Sequence, residues 1–125
     1  MKLFIAALVT FSLIVMLCVF GTVVGIRIID EMLEMLYSAS AKSGAVPENA
    51  VEISEKLLNK WEKDFFPISM MLPHHHLDEI KEELVSLMAY SETEEYAEWL
   101  ESGALLEESL LHVRGLLGVS MDNIL

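Results

Sequence analysis

From Leu3 to Ile26 the chain runs for 24 positions without a formal charge, and almost all of them are apolar. Wound as an α-helix, this run is about 36 Å long, against a hydrocarbon core of about 30 Å. A stretch of that length is expected to cross a bilayer, and the rest of the chain then becomes a domain held at a membrane. The alternative is a cleaved signal peptide, whose apolar stretch of about 7–15 residues ends in a small-x-small cleavage site. The run here is longer, and its end, Phe20-Gly21-Thr22-Val23-Val24-Gly25, does not clearly supply such a site. A lipoprotein reading would acylate Cys18, but Leu17 precedes it where a small residue is expected. The expectation is therefore an uncleaved anchor over residues 1–26 and a domain over residues 27–125. Lys2 flanks the anchor on one side, and Arg27 on the other is followed by Asp30, Glu31 and Glu34. Lys and Arg set orientation and nearly balance here; the orientation adopted is a cytoplasmic N-terminus with an extracytoplasmic domain, single-pass in the cell membrane.

All 20 acidic residues and seven of the eight basic ones follow the anchor, so that part carries a formal charge of −13. Such a domain is repelled by nucleic-acid phosphates and by anionic lipid, and no nucleic-acid partner is expected. From Glu82 to Leu111 there are nine carboxylates and no Lys or Arg. A solvated helix face accounts for most such runs; the sharper alternative is a surface for a cationic partner or divalent ions. The single cysteine, Cys18, allows no intramolecular disulfide, so a core of about 100 residues must hold the domain without staples.

Past the anchor, Leu, Glu, Met and Ala dominate, and the periodicity is helical throughout. The expected fold is all-α: a transmembrane helix continuing into a small antiparallel bundle, with helices at about 27–43, 47–66, 74–89 and 92–117. In the first, Ile29, Leu33, Leu36 and Ser40 share a face with Met32 beside them, and Lys42 and Gly44 supply a C-terminal stop to a rigid stalk. In the second, Pro47 and Glu48 suit the first turn, Ala50, Ile53, Leu57, Leu58, Trp61 and Phe65 form the stripe, and Pro67 ends or kinks the helix. The connector Phe65–Pro73 is too apolar for a solvent loop. It packs into the core, dips into the membrane surface or meets a partner. In the third, Leu77, Ile80, Leu84 and Leu87 face inward with Met88, while Glu79, Glu82 and Glu83 face outward. Ser91-Glu92-Thr93-Glu94 reads as a capping box for the fourth. There Tyr96, Trp99, Gly103, Leu106, Leu110, Val113 and Leu117 repeat at alternating spacings of 3 and 4, a seam for packing inside one bundle or, less commonly, against another chain. Gly118 loosens or ends that helix.

An N-terminal apolar anchor, Trp61 within a helix, His74 followed by Leu77-Asp78-x-Ile80, and the chain end Asn123-Ile124-Leu125 occur together here. In these cues the chain resembles a family of small, uncharacterised membrane-anchored bacterial proteins, mainly from Firmicutes. Pro73, His75 and His76 depart from the family's pattern. The resemblance implies an anchored helical domain and supplies no activity.

His74-His75-His76 is the only run with metal-ligand chemistry. On a helix His74 stands over Asp78 and His75 over Glu79, one turn apart, so each pair could share a zinc-like ion. Successive residues diverge by about 100°, however, so the three imidazoles cannot converge on one ion. The ordinary reading is a polar first turn, and His112 reads as a lone boundary residue. No elbow frames a serine, no glycine-rich loop cradles phosphate, and carboxylates on exposed faces have no cause for raised pKa values. No cofactor is expected. Gly21 and Gly25 form a small-xxx-small pair through which two anchors could approach, continuing along Ile28 and Met32. The expected role is a non-enzymatic, membrane-anchored interaction module that binds another protein or a second copy. The alternative is a metal- or cation-responsive envelope sensor built on His74, His75, Asp78 and Glu79.

Overall fold

The first helix of the computed structural model, α1 (Lys2–Ser38), is one unbroken rod with two environments. Its N-terminal part is long and apolar enough to cross a membrane, and none of that apolar window is buried. From Thr22 onward the same helix becomes the first element of a bundle, with Gly25, Ile28, Ile29, Met32, Leu33 and Leu36 buried. Residues 1–38 and 46–124 are described, and within them the chain forms five helices and no strand. The expected stop at Lys42 and Gly44, and Ser40 on the stripe, lie outside the described residues. What the sequence suggests as a stalk is, as far as Ser38, a core helix of the bundle.

Beyond α1, α2 (Ala50–Asp64) descends, α3 (Phe66–Ser69) makes one turn, α4 (His74–Thr93) ascends and α5 (Tyr96–Ile124) descends again. Antiparallel packing is fixed by cross-helix pairs. Tyr37 on α1 donates to Glu107 on α5 at 3.1 Å, Asp30 meets Arg114 at 2.6 Å, and Gly25 abuts Leu117. Residue numbers thus rise on α1 as they fall on α5. Between α4 and α5, Leu87 lies against Gly103 and Ser109 donates to Glu83. Lys60 on α2 reaches Glu31 on α1.

The helical stripes meet in one core. Leu57, Ile80, Leu84, Leu106, Leu110 and Leu117 have no exposed surface, and Trp61, Leu77, Leu87, Trp99 and Val113 have almost none. The α5 seam is filled by helices of its own chain, the in-bundle alternative for its spacing. Deep in that seam, Gly25 lets α1 approach: a Cβ there would stand 3.2 Å from both Ile68 Cγ1 and Leu117 Cδ1.

Two local expectations are corrected. Ser91 does not cap α5; it is buried in the last turns of α4, and its hydroxyl donates to the Met88 carbonyl at 2.7 Å. The turn instead forms at Glu94, which takes a left-handed conformation (φ 56°) and ends α4 in the manner of a C-terminal glycine. Gly118 does not end α5, which continues to Ile124. At Pro67 the chain stops α2 and restarts: α2 closes at Asp64, and Pro67 then occupies the first turn of α3, where its missing N–H costs nothing.

Candidate functional site

Charge is sharply zoned along the bundle. The first ionic side chains past the apolar run form a belt on α1, α2 and α5. Arg27 pairs with Glu31 at 3.3 Å, Glu31 with Lys60 at 2.6 Å, Lys60 with Asp64 at 3.2 Å, and Arg114 with Asp30 at 2.6 Å. The hydrogen bond and charge of Lys60 hold the Glu31 carboxyl below its ordinary range. Glu31 in turn holds the Lys60 ammonium above its own. Solvated pairs of this kind contribute little to stability, because water and salt screen them. Their importance here is positional, because they draw the edge between a charged body and an apolar base.

Below that belt the base is made by α1 and the α3 turn, with Leu117 of α5 beside Gly25. Leu17, Cys18, Phe20 and Gly21 of α1 line a groove of about 230 Å³ together with Pro67, Met70 and Met71. Gly21 is open, and a Cβ added there meets nothing within 4 Å. Gly25, its partner in the small-xxx-small pair, is already covered by Ile68 and Leu117 of the same chain.

The histidine run opens α4, with Pro73 in an extended conformation just before it. His74 and His75 are exposed and His76 is half-buried. His75 and His76 rings lie 3.9 Å apart, and His76 continues to His112 of α5 at 5.2 Å. Burial, then the neighbouring His75 and His112, lower the His76 pKa from its ordinary 6.5; Glu79 opposes this. His112 is thus part of the cluster, a contact between two helices that sequence spacing could not show. Asp78 and Glu79 remain exposed, and His74 and Asp78 line a groove with Trp61, Phe65 and Leu77. Among the described residues no three His, Cys, Asp or Glu side chains are placed to hold a metal ion.

Glu83 overturns its outward assignment. It lies half-buried between α4 and α5, where one carboxylate oxygen accepts from Ser109 at 3.0 Å and the other is buried without a partner. Burial pushes its pKa above the ordinary carboxylate value; the Ser109 bond opposes this, and the nearby Glu79, Glu108 and Glu82 add to it. The sequence signal was available in outline: Glu83 is three residues from Ile80 and four from Leu87, at the flank of the buried stripe. At the far end of the bundle, Leu36, Tyr37, Trp99, Gly103 and Glu107 line a groove of about 190 Å³. Among the described residues the buried Trp99 indole N–H has no acceptor.

Taken together, these features define a small all-helical domain that shares its first helix with a long apolar rod. The chain belongs to the family described as Domain of unknown function (DUF4363), whose model matches residues 32–124. No curated protein and no solved structure matches it.

Proposed function

We propose that the chain is a single-pass membrane protein whose acidic helical bundle works by contact rather than catalysis, engaging another protein or a second copy close to the bilayer. The observation that carries this reading is the double role of α1: a bare apolar rod over its N-terminal part and a core helix from Thr22 onward. Apart from the α3 turn near its end, such a rod has no covering among the described residues, and a bilayer is the solvent that would satisfy it. The α5 seam is used up inside the bundle, which leaves the acidic outer faces, the open Gly21 face and the apolar base for contact. The anchor reading favours a cell-membrane location with the bundle extracytoplasmic. The alternative, a metal-responsive sensor on His74, His75, Asp78 and Glu79, gains no support from the geometry.

Crosslinking of the full chain in native membranes tests this. The protein is expected to resist carbonate extraction and to give a discrete crosslinked product. A dimer band removed by Gly21→Ile identifies a second copy meeting through the anchor; a dimer that persists identifies contact through the bundle; a heavier discrete product identifies a different protein. Extraction into the soluble fraction, or no product at any expression level, refutes the reading.

A further inference from the structure

The connector from Phe65 to Pro73 carries no charge among its nine residues, and it holds two prolines, two phenylalanines and two methionines. Such a segment belongs in a core, yet the structure leaves much of it outside: Phe66 is 65% exposed and Met70 is 70% exposed. Only Ile68 is fully buried. The connector is also the lowest part of the bundle, since Pro67, Met70 and Met71 face the groove shared with Leu17, Cys18, Phe20 and Gly21 of α1.

The depth of that groove follows from counting. About 20 helical residues cross the hydrocarbon core. Any such window within the uncharged run Leu3–Ile26 begins between Leu3 and Ala7, and therefore always contains Leu17 to Gly21. Whatever sits against these residues sits at hydrocarbon depth. We infer that the α3 connector is a second membrane-embedded element, a wedge whose Phe66, Pro67, Met70 and Met71 lie among lipid acyl chains beside the anchor. This rests on α1 spanning the bilayer.

Its backbone chemistry suits that place. Lipid offers no hydrogen bonds, so irregular backbone is tolerated there only where its polar groups are satisfied internally. Five of the connector's seven backbone amides, those of Phe65, Ser69, Met70, Met71 and Leu72, donate to Trp61, Phe65, Phe66, Ile68 and Ile68 carbonyls at 2.9–3.3 Å. Pro67 and Pro73 have no N–H to satisfy. The one hydroxyl, Ser69 Oγ, donates to the Phe66 carbonyl at 2.6 Å. The charged belt at Arg27, Asp30, Glu31, Lys60, Asp64 and Arg114 stands on the water side of the wedge. At the same end α5 is uncharged from Gly115 to Val119. The attraction is apolar, because a domain of charge −13 gains nothing from anionic headgroups.

The test uses the full chain with Cys18→Ser, in phosphatidylcholine vesicles, carrying one environment-sensitive fluorophore at a time. The sites are Met70→Cys, Phe66→Cys, Leu13→Cys in the anchor, and Val85→Cys on the exposed face of α4. Labels at Met70 and Phe66 are expected to emit blue-shifted light, to be quenched by nitroxide-bearing lipid, and to resist aqueous iodide as the Leu13 label does. The Val85 label is expected to behave oppositely. Because Met70 and Phe66 are largely exposed, labels there leave the core intact, which tryptophan fluorescence verifies. Lipid protection at Leu13 with free iodide access at both Met70 and Phe66 overturns the wedge and leaves the anchor standing. Iodide access at Leu13 as well overturns both.

Discussion

Placing a side chain at Gly25 separates two thermodynamic accounts of α1. A Cβ there would lie 3.2 Å from the tips of Ile68 and Leu117, so each neighbour must retreat by a few tenths of an ångström. Inserting carbon into a packed core costs about 1–3 kcal/mol. In a water-soluble helix, replacing glycine by alanine returns about 1 kcal/mol of helix propensity, and the two effects nearly cancel. In a bilayer they do not cancel. If α1 spans the bilayer as proposed, the lipid keeps it helical whether or not the bundle is folded, because a spanning segment must satisfy its backbone internally in both states. The propensity gain then appears on both sides of the equilibrium and drops out. Gly25→Ala is therefore expected to lose about 1–2 kcal/mol and Gly25→Leu about 3 kcal/mol of bundle stability. For a domain of this size that is a melting-point drop of about 4–8 °C per kcal/mol. Gly21→Ala, with nothing within 4 Å of its added carbon, should lie within about 0.5 kcal/mol of wild type. The only tryptophans, Trp61 and Trp99, are buried in the bundle, so their fluorescence in nanodiscs reports bundle unfolding without interference from the anchor. An unchanged or raised melting point for Gly25→Leu, or equal losses at Gly21 and Gly25, would refute the reasoning.

Two further outcomes follow from the core and the histidine cluster. Leu110→Ala empties a fully buried site between α5 and its neighbours and should cost about 2–5 kcal/mol, measured by the same fluorescence melt. The folded-state pKa of His76 lies below its unfolded value of 6.5, so the unfolded chain takes up the proton first; stability from this group is complete above pH 6.5 and falls as pH drops from there toward the lowered folded value. Glu83 has the opposite sign, its raised pKa eroding stability as pH climbs above 4.5, so the His76 effect is read from the difference between wild type and His76→Gln, which should lose the slope just below pH 6.5. Parallel pH profiles for the two proteins would count against the cluster.

Sequence periodicity captured the buried stripes well, because burial at 3-to-4 spacing leaves a direct imprint: Leu57 and Trp61, Leu77 to Leu87, and Leu106 to Leu117 all point inward. What it misjudged depends on contacts between helices or on backbone that lacks a local signature. The α4–α5 turn uses Glu94 at positive φ, a role that sequence patterns assign to Gly or Asn, so the nearby Ser91 and Glu94 look like a cap for the next helix. The His76–His112 contact and the burial of Glu83 against Ser109 join residues 36 and 26 positions apart, and no spacing within one helix reports them. Gly25 reads the same as Gly21 in sequence, yet only at Gly25 would an added Cβ press on other side chains, because that depends on where α3 and α5 come to rest.

The unbroken passage of α1 from bare rod to core helix also makes the molecule a lever. No proline interrupts Lys2–Ser38, so if α1 spans a bilayer as proposed, the bundle's angle to the membrane would follow that of the helix. An apolar rod of about 36 Å in a hydrocarbon layer of about 30 Å fits by leaning, at roughly 34° if tilt alone absorbs the difference. On the wedge reading, leaning toward the α3 side would drive Phe66 and Met70 deeper, while a thicker membrane would stand the rod up and lift them out. The angle of the acidic head would thereby gauge the thickness of the membrane that carries it.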